Sequence, residues 1–521
     1  MKRKIPVILL LAAALPLGAQ THQERYVNWT DNAAYESLNP VRLSGNAMQD
    51  YGVASLDYGL SKGEFHAIDA SGSEGTFKAD LSGLRRIGRF SLSGVFRYTN
   101  GRQDGQRWNS SLFKDPDNPF FVCDSLPGNV TTEVFDLAAA GSYRISDRLK
   151  AGLEAGVTTG SRSDQSDPRP STVSSVIPVT AGLTWRTSPS LELGFAAKAR
   201  IFSSSVAFYN VQPLVGHRYF IMKGMGDYMK RSTSDESGYK RDYNGLALTA
   251  ALSAMIGSGD VKDFVELSFT YSGEDARDGD QSYLFRGGDF TKLEAGLYNR
   301  LLIRGDYGIR HNITLSGSFA MGNALWSDQR RQADMEHGGR IYYEVLSTNT
   351  IQSDYRISAD ASYRFDITRG LRRDFYAGAD ARFAMSSSEH YLGRTTPVQK
   401  ITALDFSLLA GKSLAFGRSL LTAEIGGSYR LPLGSEFGSG CAFSGEDNIT
   451  DIYCRHRFEY ESASRALVHA LLDFNFPAGK RLAPGLFIKG QYEFYTGTGE
   501  YWPQYRGTSL TGLLAGVYLK F

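Results

Sequence analysis

Two neighbouring stretches of the chain, 353–366 and 373–385, carry several charged residues spaced by multiples of two. The first has Asp354, Arg356, Asp360 and Arg364; the second has Asp374, Asp380 and Arg382. Side chains on a β-strand alternate between two faces, so each set projects from one face of its strand. Facing Arg and Asp residues on adjacent strands predict one of two things. One is a ladder of ion pairs that packs a wall. The other is a polar conduit whose field orients a solute, because rings of charge tune the selectivity of pores. Arg356, Asp360, Arg364, Asp380 and Arg382 are the candidate binding residues on this reading. Comparable faces carry Glu192, Lys198, Arg200, Glu266, Arg465, His469 and Asp473.

Other chemistry is sparse. No H-E-x-x-H zinc motif and no EF-hand loop occurs, and Gly411-Lys412-Ser413 lacks the upstream glycine of a phosphate-binding loop. The eight histidines are scattered. His469 beside Asp473 reads as part of a hydrogen-bond network rather than as a catalytic pair. The chain is expected not to be an enzyme and to need no cofactor. Cys441 and Cys454 share one polar segment and can close a small loop as a disulfide; Cys123 can equally pair with either, and three unpaired thiols are the alternative. A metal site at Cys441, Cys454 and His456 lacks the spacing of known zinc motifs.

The elements that position these residues follow from a period of two. In 191–201, Leu191, Leu193, Phe195, Ala197, Ala199 and Ile201 alternate with Glu192, Gly194, Ala196, Lys198 and Arg200. In the 353–385 hairpin, Tyr363, Phe365 and Phe375 gather at the turn end of the apolar face, with alanine and isoleucine in the middle. Membrane barrels place aromatic girdles at the two interfaces with aliphatic residues between them. About 18 such stretches, within a range of 16–20, run from residue 51 to the end. Tight turns and long polar connections alternate between them without a break. The longest connections fall near 101–131, 204–242, 323–349 and 432–462. Short periplasmic turns and long extracellular loops give this rhythm. The fold expected is all-β, a single antiparallel up-and-down transmembrane barrel over 51–521. Loop aromatics such as Trp108, Phe113, Phe120 and Phe121, and the stretch FIMKGMGDYMK, suit inward folding, capping or partner contact, with inter-loop packing the simplest outcome.

Composition agrees. Gly numbers 56, Tyr and Phe number 29 and 30, and Pro only 16. A mean hydropathy of −0.29 suits strands with one polar face. A net charge of +2, with no basic stripe, excludes a nucleic-acid partner. Residues 1–19 open on Lys2, Arg3 and Lys4, continue through the apolar run Ile5 to Leu17 and end on Ala19, the layout of a secretory signal peptide. Residues 20–50 lack a strand signal and are expected to be a periplasmic tail or a luminal plug.

The last residues, SLTGLLAGVYLKF, place Leu513, Ala515, Val517, Leu519 and Phe521 on one face. This pattern resembles the C-terminal assembly signal of bacterial outer-membrane barrels, which implies an assembly role for Phe521. The opening DYGVASLDYGLSKGEFHAID and the hairpin SGLRRIGRFSLSGVFRYTNG resemble the large outer-membrane β-barrels of Bacteroidota, including families without an assigned function. That resemblance implies location in the outer membrane, contact with its lipid and lipopolysaccharide, and insertion by the barrel-assembly machinery. It implies a channel or transporter for a solute. An interaction barrel docking a surface lipoprotein or secretion component is the alternative, and an outer-membrane hydrolase a more distant one.

Overall fold

The computed structural model describes residues 32–45, 50–209, 211, 215–232, 239–279, 285–335, 340–369, 372–391, 396, 398–438, 449–476, 482–497 and 505–521. The expected signal segment 1–19 and residues 20–31 lie outside them, as does Cys441.

In chain order the strands are β1 (Tyr51–Gly63), β2 (Ser73–Ile87), β3 (Phe90–Gln106), β4 (Val122–Cys123), β5 (Gly128–Arg144), β6 (Leu149–Asp164), β7 (Pro170–Ser188), β8 (Leu191–Phe208), β9 (Arg218–Gly224), β10 (Asp227–Ser232), β11 (Tyr239–Ile256), β12 (Val261–Asp278), β13 (Phe285–Arg304), β14 (Ile309–Asp334), β15 (Arg340–Arg369), β16 (Arg372–His390), β17 (Val398–Phe416), β18 (Ser419–Phe437), β19 (Arg465–Asn475), β20 (Ala483–Tyr495) and β21 (Ser509–Lys520). A short helix, α1 (His456–Ser462), continues a π-helical turn at Thr450–Arg455. All strands except β4, β9 and β10 form one 18-stranded antiparallel sheet, and β21 pairs with β1 to close it. Closure leaves no unpaired edge, the condition for a sheet to cross lipid.

The period of two decides which face meets what. On β21, Leu513, Val517 and Leu519 are exposed, whereas Tyr518 and Lys520 are buried inside. Around the barrel the outward face is a belt of exposed aliphatics such as Leu137, Leu153, Leu252, Leu408, Ile425 and Leu472. Aromatic contacts mark its two rims. Tyr98 meets Phe135 at 5.0 Å between ring centroids toward the long-loop end, and Phe90 meets Tyr143 at 4.6 Å at the short-turn end. Phe365 and Phe375 lie 6.4 Å apart at the turn end of their hairpin. An uninterrupted apolar belt on a closed barrel is stable only in hydrocarbon.

The short turns follow from local chemistry. Gly88 and Gly417 take positive φ, +60° and +61°, in two-residue connections between β2 and β3 and between β17 and β18. Such turns need φ > 0, which glycine reaches without cost.

Four of the long connections carry secondary structure of their own. The 323–349 stretch is strand: β14 and β15 stay paired from Leu325↔Thr350 to Asp334↔Arg340. Pairing of β14 with β13 stops at Leu325 and that of β15 with β16 at Gln352, so a two-stranded arm rises about 30 Å beyond the rim at ~3.3 Å per residue. The β3–β5 and β8–β11 connections contribute β4, β9 and β10, which form a three-stranded sheet in the order β10-β9-β4. The β18–β19 connection carries α1.

The small sheet is the core of the molecule. Alternation on β9 sends Tyr219 and Ile221 one way, where they pack with Phe120 and Val122 against wall residues Phe202, Phe208, Tyr243 and Phe290. Phe220 and Met222 point the other way, packing with Cys123 against Trp108, Tyr453 and Cys454. The sheet is therefore sandwiched between the inner wall and the helical turn before α1.

Candidate functional site: the occluded lumen

The lumen holds two inward-folded bodies. Toward the short-turn end, residues 32–45 lie against the inner wall. Asn39 caps the turn Pro40–Ser44 by accepting from the Val41 N–H at 3.0 Å, and its Nδ2 donates to the carbonyls of Leu183 (2.9 Å) and Phe195 (3.1 Å). Ser37 Oγ donates to Glu266 at 2.5 Å, and Arg42 pairs with Glu154 at 2.7 Å. The Arg300 guanidinium stacks over the Tyr35 ring at 4.2 Å. Gly152 and Gly182 make room: a Cβ on either would sit 2.8 Å from the Val41 nitrogen or 2.1 Å from Asn39. Among the expected inward residues, Glu266 is thus engaged by this segment.

Toward the long-loop end, residues 107–127 fold into the barrel and are latched to it by charge. Lys292 on β13 reaches Asp115 at 2.6 Å and Asp117 at 3.4 Å, and Arg356 on β15 reaches Asp117 at 2.5 Å. Glu274 on β12 accepts from Asn118 Nδ2 at 2.9 Å and from the Asp115 N–H at 3.1 Å. Phe120, fully buried, presses on Gly288, where a Cβ would meet its ring at 2.5 Å. The backbone yields to this seat: Trp108 and Phe113 hold positive φ, +62° and +63°. Burial pushes Lys114 down to about 8; its Nζ donates to the carbonyls of Asn118 and, at 2.9 Å, Asp115. Burial likewise pushes Asp124 up to about 7, although its carboxylate accepts from the Leu126 N–H at 3.0 Å. The β9–β10 hairpin is latched separately. His390 on β16 lies 3.7 Å from Asp227, which Lys223 of the same hairpin also approaches at 3.0 Å.

Between this loop, the Gly224–Gly226 turn, the 450–462 helical segment and wall strands β13–β17 lies a cavity of about 360 Å³. Asp354 and Arg356 line it. A second chamber, about 190 Å³, is lined by Lys198, Arg200, Lys292 and Glu294. A third, about 320 Å³, opens beside residues 32–45.

The five charges singled out in the sequence do not converge. Arg364 pairs with Asp380 at 2.8 Å, and Ser407 Oγ donates to the same carboxylate at 2.5 Å. Arg382 lies 3.4 Å from Asp360, its cross-strand partner in register. Arg356 alone turns to the loop. The other inward charges also find neighbours: Glu192 with Lys150 at 3.1 Å, and Arg465 with Glu493 at 3.5 Å. His469 faces Glu424 at 3.3 Å and not Asp473, which accepts from Tyr518 Oη at 2.7 Å. Gly59–Gly63 spells the G-x-S-x-G pattern of hydrolase elbows, yet Ser61 sits inside β1, paired on both sides. Sequence reasoning missed the latch partners Asp115, Asp117, Glu274 and Lys292, because nothing in their spacing tells which wall strand a loop returns to. The hairpin β9–β10 did have a signal, Gly224-Met225-Gly226 between alternating apolar residues.

A closed 18-stranded barrel with a lipid-facing belt, aromatic rims and an internally occupied polar lumen is an outer-membrane β-barrel, and its place is the outer membrane. The chain belongs to the family described as "Family of unknown function (DUF6850)", whose model matches residues 40–521. No curated protein matches it in sequence. Solved structures similar to it include the RagAB peptide transporter (7% identity, 91% of this chain and 87% of that one, TM-score 0.42). Others are BauA, the ferric preacinetobactin receptor from Acinetobacter baumannii (11% identity, 90% and 80%, TM-score 0.39), and the CymD monoaromatic hydrocarbon channel (10% identity, 94% and 92%, TM-score 0.31).

Proposed function

We propose that this protein is a gated transport barrel of Bacteroidota type that moves a polar solute across the outer membrane. Residues 32–45 serve as its luminal plug and the 107–127 loop as its outer gate. The observation that carries the reading is the latch of Asp115 and Asp117 on Lys292 and Arg356. A wall that only had to be stable would be filled by apolar side chains. Here the filling is a separate segment fastened to the wall by ion pairs as well as by an apolar cluster, and the ion pairs are the part that a change in charge can loosen. An aqueous lumen is ample in a barrel of this strand number once such segments move.

Single-channel recording in planar bilayers tests it. The wild-type protein should be nearly silent. The Asp115→Asn/Asp117→Asn variant removes the charges of the latch, and breaking its part-buried Lys292 pair one-sidedly costs about 1–3 kcal/mol. It should show openings with stable conductance. A variant as silent as the wild type, with no solute release from liposomes, would refute the transport reading and favour a docking scaffold.

A further inference from the structure

The 320 Å³ chamber beside residues 32–45 differs in charge from the other two. The 360 Å³ cavity is lined by four acidic and four basic side chains, and the 190 Å³ one by three of each. The third chamber is lined by Arg42, Lys150, Arg186 and Lys262 against a single carboxylate, Glu192. Its wall residues face the lumen and not lipid. Thr184, Arg186, Glu192 and Gly194 line it, and they alternate along β7 and β8 with the exposed Leu183, Trp185 and Leu193.

The one lining carboxylate is shared. Glu192 accepts from Lys150 Nζ at 3.1 Å through both oxygens, and Arg186 lies 3.6 Å from it. Arg42 is matched from outside the lining, by Glu154 at 2.7 Å. Four cations against these two carboxylates leave two positive charges in excess among the described residues. The excess is accessible at Arg186. Its side chain is 43% exposed, against 14% for Lys150, and its guanidinium makes no closer ion pair among the described residues than the one at 3.6 Å. A guanidinium presents five N–H donors in a fork that fits the paired oxygens of a carboxylate or phosphate. The cations come from separate elements, Lys150 on β6, Arg186 on β7, Lys262 on β12 and Arg42 on the inward-folded segment. An occupant therefore meets positive charge both from the wall and from the segment that fills the lumen. A cleft lined by one sign of charge concentrates counter-ions of the other. Gly194 and Ser253 add little bulk to the lining, and the volume lies at the small end of the ~300–1,000 Å³ typical of ligand sites.

From this we infer that the chamber binds a small organic oxyanion carrying at least two negative charges. One anionic group lies on the Arg186 fork, and the others meet the remaining cations. A single negative charge would leave part of the excess unmatched, and a neutral solute would leave all of it. The inference rests on the transport reading above in taking the bound anion for the solute carried.

Isothermal titration of the full-length protein in detergent tests it. Citrate and glucose 6-phosphate are the oxyanion probes, maltose the neutral probe, spermidine the cationic probe and hexaglutamate the probe for an acidic protein segment. At least one oxyanion should bind saturably, with maltose and spermidine at least about tenfold weaker, and raising NaCl from about 50 to about 500 mM should weaken it further. Arg186→Gln should weaken oxyanion binding about tenfold. Glu192→Gln releases two cations and should tighten it, an effect that a merely structural role for the pair would not produce. Lys489→Gln removes an inward cation from β20, away from the chamber, and should change nothing. Heat-modifiable migration confirms that each variant is a folded barrel, and Glu192→Gln decides alone if Arg186→Gln does not fold. Absence of oxyanion binding at low salt overturns the inference. So does equal binding of maltose, undiminished affinity in folded Arg186→Gln, weaker binding in folded Glu192→Gln, or an equal loss in Lys489→Gln. Hexaglutamate binding tighter than either small anion would overturn it in favour of a protein partner. Failure of oxyanion binding leaves the conductance of the unlatched Asp115/Asp117 variant intact. Oxyanion binding without such conductance keeps the site and refutes transport.

Discussion

Phe521 completes the wall through its backbone and its ring. Its N–H donates to the Gly52 carbonyl at 3.0 Å, its carbonyl accepts from the Gly52 N–H at 2.7 Å, and its ring covers Gly52 so closely that a Cβ there would sit 2.4 Å away. Gly52→Ala should therefore lower the urea midpoint, at a cost of about 1–3 kcal/mol for overpacking. Gly59→Ala, whose Cβ would meet its nearest neighbour at an ordinary 3.5 Å, should not. Phe521→Asp should reduce the yield of folded barrel more than Lys520→Met, because Lys520 sits inside, over the Tyr518 ring at 4.4 Å, and never meets lipid. Asp124 gives a pH signature. Burial holds its folded-state pKa up at about 7, against an ordinary carboxylate near 3.8. The folded loop thus binds more protons than the unfolded one between those values, and this contribution to stability is lost as pH rises through about 7. Glu459, also raised to about 7 by burial, acts in the same direction, and His456, lowered by burial, opposes it below its ordinary range. Melting of the wild type at pH 5 and pH 8 should differ more than that of Asp124→Asn; an equal difference would assign the pH dependence elsewhere.

At the scale of elements, the β9–β10 hairpin is the part on which the lumen's filling turns. Its tip has Gly224 at φ +123° and Gly226 at φ +86°, and a Cβ at the latter would sit 2.5 Å from Thr450 Oγ1. Holding a side chain in such conformations costs about 1–3 kcal/mol per residue. Gly226→Val should therefore loosen the hairpin from the helical segment. Protease cleavage of the β8–β11 connection in intact cells should rise about tenfold, as a cost near 1.4 kcal/mol implies. Unchanged cleavage would mean that the wall contacts of Tyr219 and Ile221 hold the hairpin without its tip.

At the scale of the molecule, residues 32–45 lie in the lumen toward one end and the loop sheet toward the other. If the two act as closures in series, their opening is non-additive. Deleting 32–45 alone should leave conductance low, and unlatching the loop alone should open it in part. Combining both should give a conductance greater than the sum of the two, read in the same bilayer assay. A simple sum would place the two segments beside separate paths.

Much of the wall was legible in the sequence, because each strand has one face in lipid and one in a polar lumen, and a period of two survives without any knowledge of neighbours. The strand count, the closure of β21 on β1 and the girdle at Phe365 and Phe375 follow from that contrast. The lumen was not legible to the same degree. Asp360 and Arg382 could be paired because register fixes cross-strand neighbours. Arg356 could not be assigned to Asp117, because 238 residues of chain separate them in sequence and only the fold of the 107–127 loop brings them to 2.5 Å. By itself the sequence determined a barrel with a polar interior, since alternation is a local property. Only the tertiary structure decided that the interior is filled, which segments fill it and where a chamber remains, since those depend on contacts between residues far apart in the chain.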